Sequence, residues 1–152
     1  MPASTVMDAL SFRSIELHHA ALLRQWFTHP TLQQRLEVPT DQWLQYVMST
    51  PGVFAWMVYA DTEAVGHVQV DTEANGFGSV ALVVNPMLHN QGYGSAILRH
   101  LTTLPVLAAL KGLEGYVEDN NLPAQRCCLA AGFIDKGMPD QSGFIRFIKL
   151  IH

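Results

Sequence analysis

The chain has only two cysteines, Cys127 and Cys128, and they are adjacent, so no disulfide framework is on offer and a reducing compartment is the simpler setting. Charged residues make up only 14% of it. Lysine and arginine number 9 against 13 aspartates and glutamates, the formal net charge is -4, and no basic cluster occurs. That balance argues against nucleic acid as the main partner and suits a cationic small molecule slightly better. The apolar runs fall far short of a membrane span, and no charged amino-terminal segment leads into a continuous hydrophobic one. The expectation is a soluble cytoplasmic protein with no membrane partner. Internal repeats and low-complexity tracts are also missing, and no metal is required to hold the fold.

What is there is apolar mass. Hydrophobic residues form 49% of 152, which excludes disorder as the main state and points to one compact α/β domain. Residues 1–9 are expected to be a flexible lead-in and residues 10–152 the single domain. Alternation over Leu10 to Leu17 predicts a first strand, and the spacing of Leu22, Leu23, Trp26 and Phe27 predicts a helix that His29-Pro30 ends. Thr40 is the expected N-cap of a second helix carrying Trp43, Leu44, Val47 and Met48 on one side. Val53 to Ala60, Val65 to Asp71 and Phe77 to Val84 read as a meander whose second turn carries the hairpin signal Asn75-Gly76. A helix to about Thr103, a strand Leu113 to Glu118, a helix Asn121 to Ala131 capped by Gly132, and closing strands at Phe133 to Asp135 and Phe144 to Leu150 complete the order.

The chemistry-bearing stretch runs from Val80 to Leu98. A strand-like apolar run ends at Asn85-Pro86, a polar segment carries Gly92 and Gly94, and an apolar pattern of helical period begins at once. Backbone N–H groups near Gly92 to Ser95 lack partners inside such a helix, and the macrodipole adds partial positive charge, which makes an anion site. No lysine or arginine lies between Val80 and Leu98, so backbone donors would carry the binding. Two glycines between a strand and a helix can also be only a turn.

V-V-N-P-M-L-H-N-Q-G-Y-G-S-A-I-L resembles the strand, pyrophosphate loop and helix of the GNAT superfamily of acyl-CoA-dependent N-acyltransferases. N-L-P-A-Q-R-C-C-L-A-A-G-F, from Asn121 to Phe133, is similar to that family's Asn-x-x-Ala helix ending in Gly-Phe. The element order agrees from Leu10 to Leu150. The resemblance implies a single-domain, mixed and mainly antiparallel sheet flanked by helices, with the strand ending at Val84 splayed from the one beginning near Leu113. It implies acetyl-CoA or another acyl-CoA as cosubstrate, no metal, and a primary amine as acceptor, on a small molecule sooner than on a protein; a homodimer is left open. Leu82, Val83 and Val84 would offer backbone groups to the pantetheine arm. Asn90, Gln91, Gly92, Tyr93, Gly94 and Ser95 would wrap the pyrophosphate, and Asn121 would hydrogen-bond the arm. Arg126 is within reach of the cofactor's 3′-phosphate or is an ordinary surface arginine.

Three positions depart from the family pattern: His89 in the loop where Gln or Arg is usual, Cys128 where the helix commonly supplies a tyrosine, and Tyr116 where some members carry a glutamate base. Amide formation from a thioester needs a neutral amine, a donor for the developing oxyanion and a proton for the leaving thiolate. The amide N–H of Val83 or Val84 is the candidate oxyanion donor. Glu118 is the candidate base, sharing a strand face with Glu114 and Tyr116, while Asp119 points the other way; a solvated strand-end carboxylate is the alternative reading of Glu118. Tyr116, Cys128 or solvent would supply the proton, and helix packing is the alternative reading of Cys128. His67 and Asp71 share a face of a central strand and could bind an amine. Trp26, Phe27, Trp43 and Tyr46 could wall the acceptor site or simply fill a core. The competing function is a protein that binds acyl-CoA without turnover.

Overall fold

The structure is a computed structural model that describes residues 10–33 and 38–151; the expected lead-in, residues 1–9, lies outside them. The elements are β1 (Leu10–Ser14), α1 (His19–Trp26), α2 (Pro30–Gln33), α3 (Asp41–Ser49), β2 (Val53–Ala60), β3 (Glu63–Thr72), β4 (Phe77–Val84), α4 (Tyr93–Leu101), β5 (Gly112–Glu118), α5 (Leu122–Ala130), β6 (Ile134–Asp135) and β7 (Phe144–Leu150). They build one sheet in the order β1-β2-β3-β4-β5-β7-β6. Every neighbouring pair is antiparallel except β4 and β5.

Local chemistry explains most boundaries. The Thr40 hydroxyl accepts from the Trp43 amide at 3.1 Å and starts α3, as expected. Gly76, at φ 88°, turns the β3–β4 hairpin, while Asn75 accepts from the Phe77 amide at 3.0 Å. Pro30, expected only to end the first helix, also opens α2, because a proline ring suits the first helical position. At the end of α5, Gly132 at φ 89° completes a Schellman motif in which Phe133 N–H donates to Cys128 and Gly132 N–H to Leu129.

The sheet is buried on both faces. On one, α4 and α5 cover Val68, Val70, Leu113, Val117 and Phe147 with Ile97, Leu98, Leu101 and Cys128. On the other, α1 and α3 cover Ala55, Met57 and Val83 with Leu23, Trp26, Leu44 and Val47. Each fully buried aliphatic side chain contributes about 1.5–3 kcal/mol, so both layers are held chiefly by apolar burial. Alternation along β3 sends Val68 and Val70 to the first core and His67, Gln69 and Asp71 to the second face.

The feature that positions the site is a fork. Strands β4 and β5 pair only at Phe77↔Gly112, Gly78↔Leu113 and Ser79↔Glu114. Tight packing holds the closed end: a Cβ on Gly78 would meet Val70 at 2.6 Å, and one on Gly112 would meet the Lys149 carbonyl at 2.5 Å. Beyond Ser79 and Glu114 the strands separate, which is the splay expected for this pair.

Candidate active site

The hydrogen-bond phase of each strand decides which backbone groups face the fork. Asn85 N–H donates to the Val65 carbonyl at 2.9 Å and Glu73 N–H to the Phe77 carbonyl at 2.8 Å, bracketing an unbroken β3–β4 register that includes His67↔Val83. Hydrogen-bonded pairs alternate in an antiparallel ladder, so Ser79, Ala81 and Val83 direct their N–H and C=O groups at β3. The backbone groups of Val80, Leu82 and Val84 therefore face the fork. This corrects the expectation for Val83, whose amide is committed to the sheet, and leaves Val84 as the fork-facing one of the two expected oxyanion donors. On the opposite strand, the Asp119–Gly143 bond of 2.9 Å sets the same alternation: Gly115 and Val117 bond β7, Tyr116 turns its backbone groups to the fork, and the Glu118 carbonyl on the same side accepts from the Asn121 N–H at 2.9 Å and the Gln125 amide at 3.1 Å.

The wall of the fork has room in it. A Cβ on Gly115 would have no atom within 4 Å, although Leu113 and Val117, its neighbours on the same strand face, are buried. From the open end of β4 the chain passes through a short 3-10 turn, Pro86–Leu88, in which Asn85 accepts from the Met87 amide at 3.0 Å. Asn90 at φ 64° and Gly92 at φ 84° then bend the loop into α4 through left-handed conformations that Asn and Gly tolerate. No side chain caps α4, so its first-turn amides point outward as donors, and Gln91, Gly92 and Tyr93 lie at or near the surface. Gly94 lets α5 approach: a Cβ there would meet the Cys127 sulfur at 2.9 Å. The Ser95 hydroxyl donates to the Gly92 carbonyl at 3.2 Å and tightens the turn. Asn121 caps α5, its carboxamide oxygen accepting from the Ala124 amide at 3.4 Å, so any bond to a cofactor arm falls to its nitrogen. An uncapped helix start, a fork edged by the backbone of Leu82 and Val84 and open space beside Gly115 suit a long, flexible, anion-headed molecule such as an acyl-CoA.

The candidate acid and base residues are not gathered into one cluster. Tyr116 and Glu118 project from the α1/α3 face of β5, Tyr116 being half exposed. Cys128 lies in the core on the opposite face, 8% exposed, and burial, with the neighbouring Cys127 adding, pushes its thiol up to about 11. It stays protonated at neutral pH but is packed among apolar groups. Cys127, raised by burial and eased back by the Ser95 amide, is the thiol that touches the anion loop. Arg126 is exposed on α5.

Two features of the α1/α3 face were not legible beforehand. Glu114, 4% exposed at the closed end of the fork, takes both Nε and Nη2 of Arg146 on one oxygen at 2.8 Å. Arg146 stands directly across from Tyr116 in the β5–β7 register, and its guanidinium lies 5.4 Å from the centre of the Phe77 ring. Above β3, Trp43 and Tyr46 from α3 meet Gln69 and Asp71. For the second feature the sequence offers Asp71, Trp43 and Tyr46 as acceptor-site candidates, but neither Gln69 nor the hydrogen bonds that join the four.

His67 is 5% exposed, and its Nδ1 lies 3.1 Å from the Trp56 carbonyl. A carbonyl only accepts, so Nδ1 carries a proton. Burial lowers its pKa to about 4, the Trp56 bond opposing and His19 adding to the shift. Because the folded value lies below the unfolded reference of about 6.5, the unfolded chain takes up the proton first as pH falls, and stability is lost below about pH 6.5 until the folded group titrates. We expect this residue to remove about 2 kcal/mol of stability between pH 7 and pH 5. Denaturant unfolding of wild type and His67→Gln across that range measures it; equal slopes for the two proteins would refute the assignment.

Comparison with known proteins followed from this geometry. The model of the "Acetyltransferase (GNAT) family" matches residues 20–133. The chain is 26% identical over 144 residues to the uncharacterized N-acetyltransferase YfmK of Bacillus subtilis (strain 168), covering 90% of this chain and 94% of that protein. Among solved structures it is similar to the spermidine N-acetyltransferase of Vibrio cholerae in complex with CoA and spermine, with a TM-score of 0.80 at 13% identity, over 94% of this chain and 96% of the other. It is also similar to the aminoglycoside acetyltransferase AAC(6')-Ib in complex with coenzyme A and kanamycin, with a TM-score of 0.78 at 19% identity, over 93% and 94%. At those identities the structural likeness speaks for the fold.

Proposed function

We propose, from the premise that this chain belongs to the acetyltransferase (GNAT) family and is an acyl-CoA-dependent N-acetyltransferase, that it moves an acetyl group to a primary amine of a small molecule. The observation that carries the reading is the continuous path from the uncapped start of α4 along the fork-facing backbone of Leu82 and Val84. Solved relatives named for spermidine and aminoglycoside acetylation support the small-molecule acceptor.

In this reading the amides around Gly92 to Ser95 hold the pyrophosphate, Leu82, Val84 and the Asn121 nitrogen hold the pantetheine arm, and the space beside Gly115 receives it. Acetyl-CoA, when bound, supplies an activated thioester. Much of the rate comes from holding the amine against it. The Val84 N–H donates to the carbonyl oxygen as negative charge develops there. Glu118 accepts the amine proton directly or through water, and the Tyr116 hydroxyl returns one to the departing sulfur, while Cys128 packs α5 against the sheet.

A thiol-release assay with acetyl-CoA and panels of polyamines, aminoglycosides, amino acids and peptide amino termini tests the reading. Release with a small amine and none with peptides is the expected result. Tight acetyl-CoA binding without release for any amine would instead favour a protein that binds acyl-CoA without turnover.

A further inference from the structure

The chain of side chains above β3 is directional. The Trp43 indole N–H, which can only donate, reaches the Gln69 Oε1 at 3.0 Å. That orients the Gln69 amide so that its nitrogen donates to Asp71 Oδ1 at 2.6 Å. The Tyr46 hydroxyl donates to Asp71 Oδ2 at 2.8 Å. Each carboxylate oxygen thus holds one neutral donor and keeps a further lone pair. Among the described residues no lysine, arginine or histidine pairs with Asp71. The Tyr46 phenol is raised, chiefly by its bond to Asp71 and by that carboxylate's charge, with Glu73 adding. Asp71 is thus a carboxylate fixed by two neutral donors, with no cationic partner among the described residues.

Its place in the sheet gives it a use. Asp71 stands opposite Ser79, the last β4 residue that still pairs with β5, and Gln69 stands opposite Ala81, which is exposed. Both lie on the face away from α4 and α5, where Tyr116 and Glu118 also project. From Ser79 to Leu82 and Val84, whose backbones face the fork, is roughly 10–16 Å along the strand. A metal ion is a poor fit, since no group of three metal-ligating side chains occurs among the described residues. An organic ammonium needs only the one oriented carboxylate and the flanking aromatic rings of Trp43 and Tyr46.

We propose that Asp71, aligned by Tyr46 and by Gln69 with Trp43, is a specificity-determining residue that binds a second ammonium group of the acceptor, so that the substrate class is a diamine or polyamine whose other amine is acetylated at the fork. This rests on the amine-acetylating reading above and deepens it.

The test compares wild type, Asp71→Asn and Tyr46→Phe with α,ω-diaminoalkanes and with monoaminoalkanes of matching length. Asp71→Asn keeps the shape of the side chain and removes its charge. It is expected to raise KM for the diamines about tenfold, to leave KM for monoamines and acetyl-CoA within about twofold and to leave kcat largely intact; Tyr46→Phe shifts the same parameter in the same direction by less. Equal changes for diamine and monoamine, or no change for either, would overturn the proposal. Calorimetric titration of a diamine into the same proteins separates this from failure of the transferase reading. Should wild type release no thiol with any amine, weaker diamine binding by Asp71→Asn still supports the ammonium site, and identical binding overturns it.

Discussion

Gly115→Leu is expected to weaken acetyl-CoA binding at least ~100-fold while leaving the protein as stable as wild type. Gly115 is the one residue on its strand face where a side chain would enter open space, between buried Leu113 and Val117. Its backbone is not among the left-handed glycines, so leucine meets no conformational penalty there and removes the entropic cost of glycine in a strand. In the proposed binding mode, the four added carbons fill the room that receives the pantetheine arm beside the fork. A penalty of about 2.7 kcal/mol, typical of forcing extra atoms into a well-fitted space, corresponds to that hundredfold loss. Calorimetry with acetyl-CoA reads the affinity and thermal unfolding the stability. Affinity within threefold of wild type would show that the arm does not pass Gly115.

The second large effect is on stability. Arg146→Met leaves Glu114, buried at the closed end of the fork, without the guanidinium whose Nε and Nη2 it accepts at 2.8 Å. Breaking a buried pair by removing one partner strands a charge, and because about a third of the Arg146 side chain is exposed the low end of the usual range applies, about 3 kcal/mol. Replacing both residues by methionine removes the stranded charge as well. The double variant Glu114→Met with Arg146→Met is therefore expected to recover most of the loss, to within about 1 kcal/mol of wild type. Urea unfolding of the three proteins gives the coupling directly. A single-variant loss below 1 kcal/mol, or a double variant worse than the single, would mean that the buried pair across β5 and β7 does not hold the fold in this way.

Legibility followed the range of the interactions concerned. Thr40, Asn75-Gly76, Gly132 and the α4 loop were readable because each acts within four residues: a cap, a turn or a left-handed φ depends on the local chain alone. The splay of β4 from β5 was implied only by the family resemblance, which rests on two motifs whose residues stand close in sequence. The resemblance implies Leu82, Val83 and Val84 together as cofactor contacts, and it cannot separate Val83 from its neighbours because the hydrogen-bond phase of a strand is not written in its sequence. That phase is set by which β3 residue stands opposite, here His67. Cys128 illustrates the same limit, since its position in the motif was plain but its burial on the face opposite Tyr116 was not.

By itself, then, the sequence determined one α/β domain of apolar composition, a strand-loop-helix unit, a helix capped by Asn121 and the family that joins them. The tertiary structure alone decided that the backbones of Leu82 and Val84 face the fork, that Gly115 borders open space, that Glu114 and Arg146 pair across β5 and β7 beside the fork's closed end, and that Trp43, Gln69, Tyr46 and Asp71 form one oriented chain. The physical reason is that caps, turns and glycine conformations are written in neighbouring residues, whereas register, burial and ion pairing join residues 25 to 32 positions apart. Such contacts exist only once the sheet has brought distant strands and helices side by side.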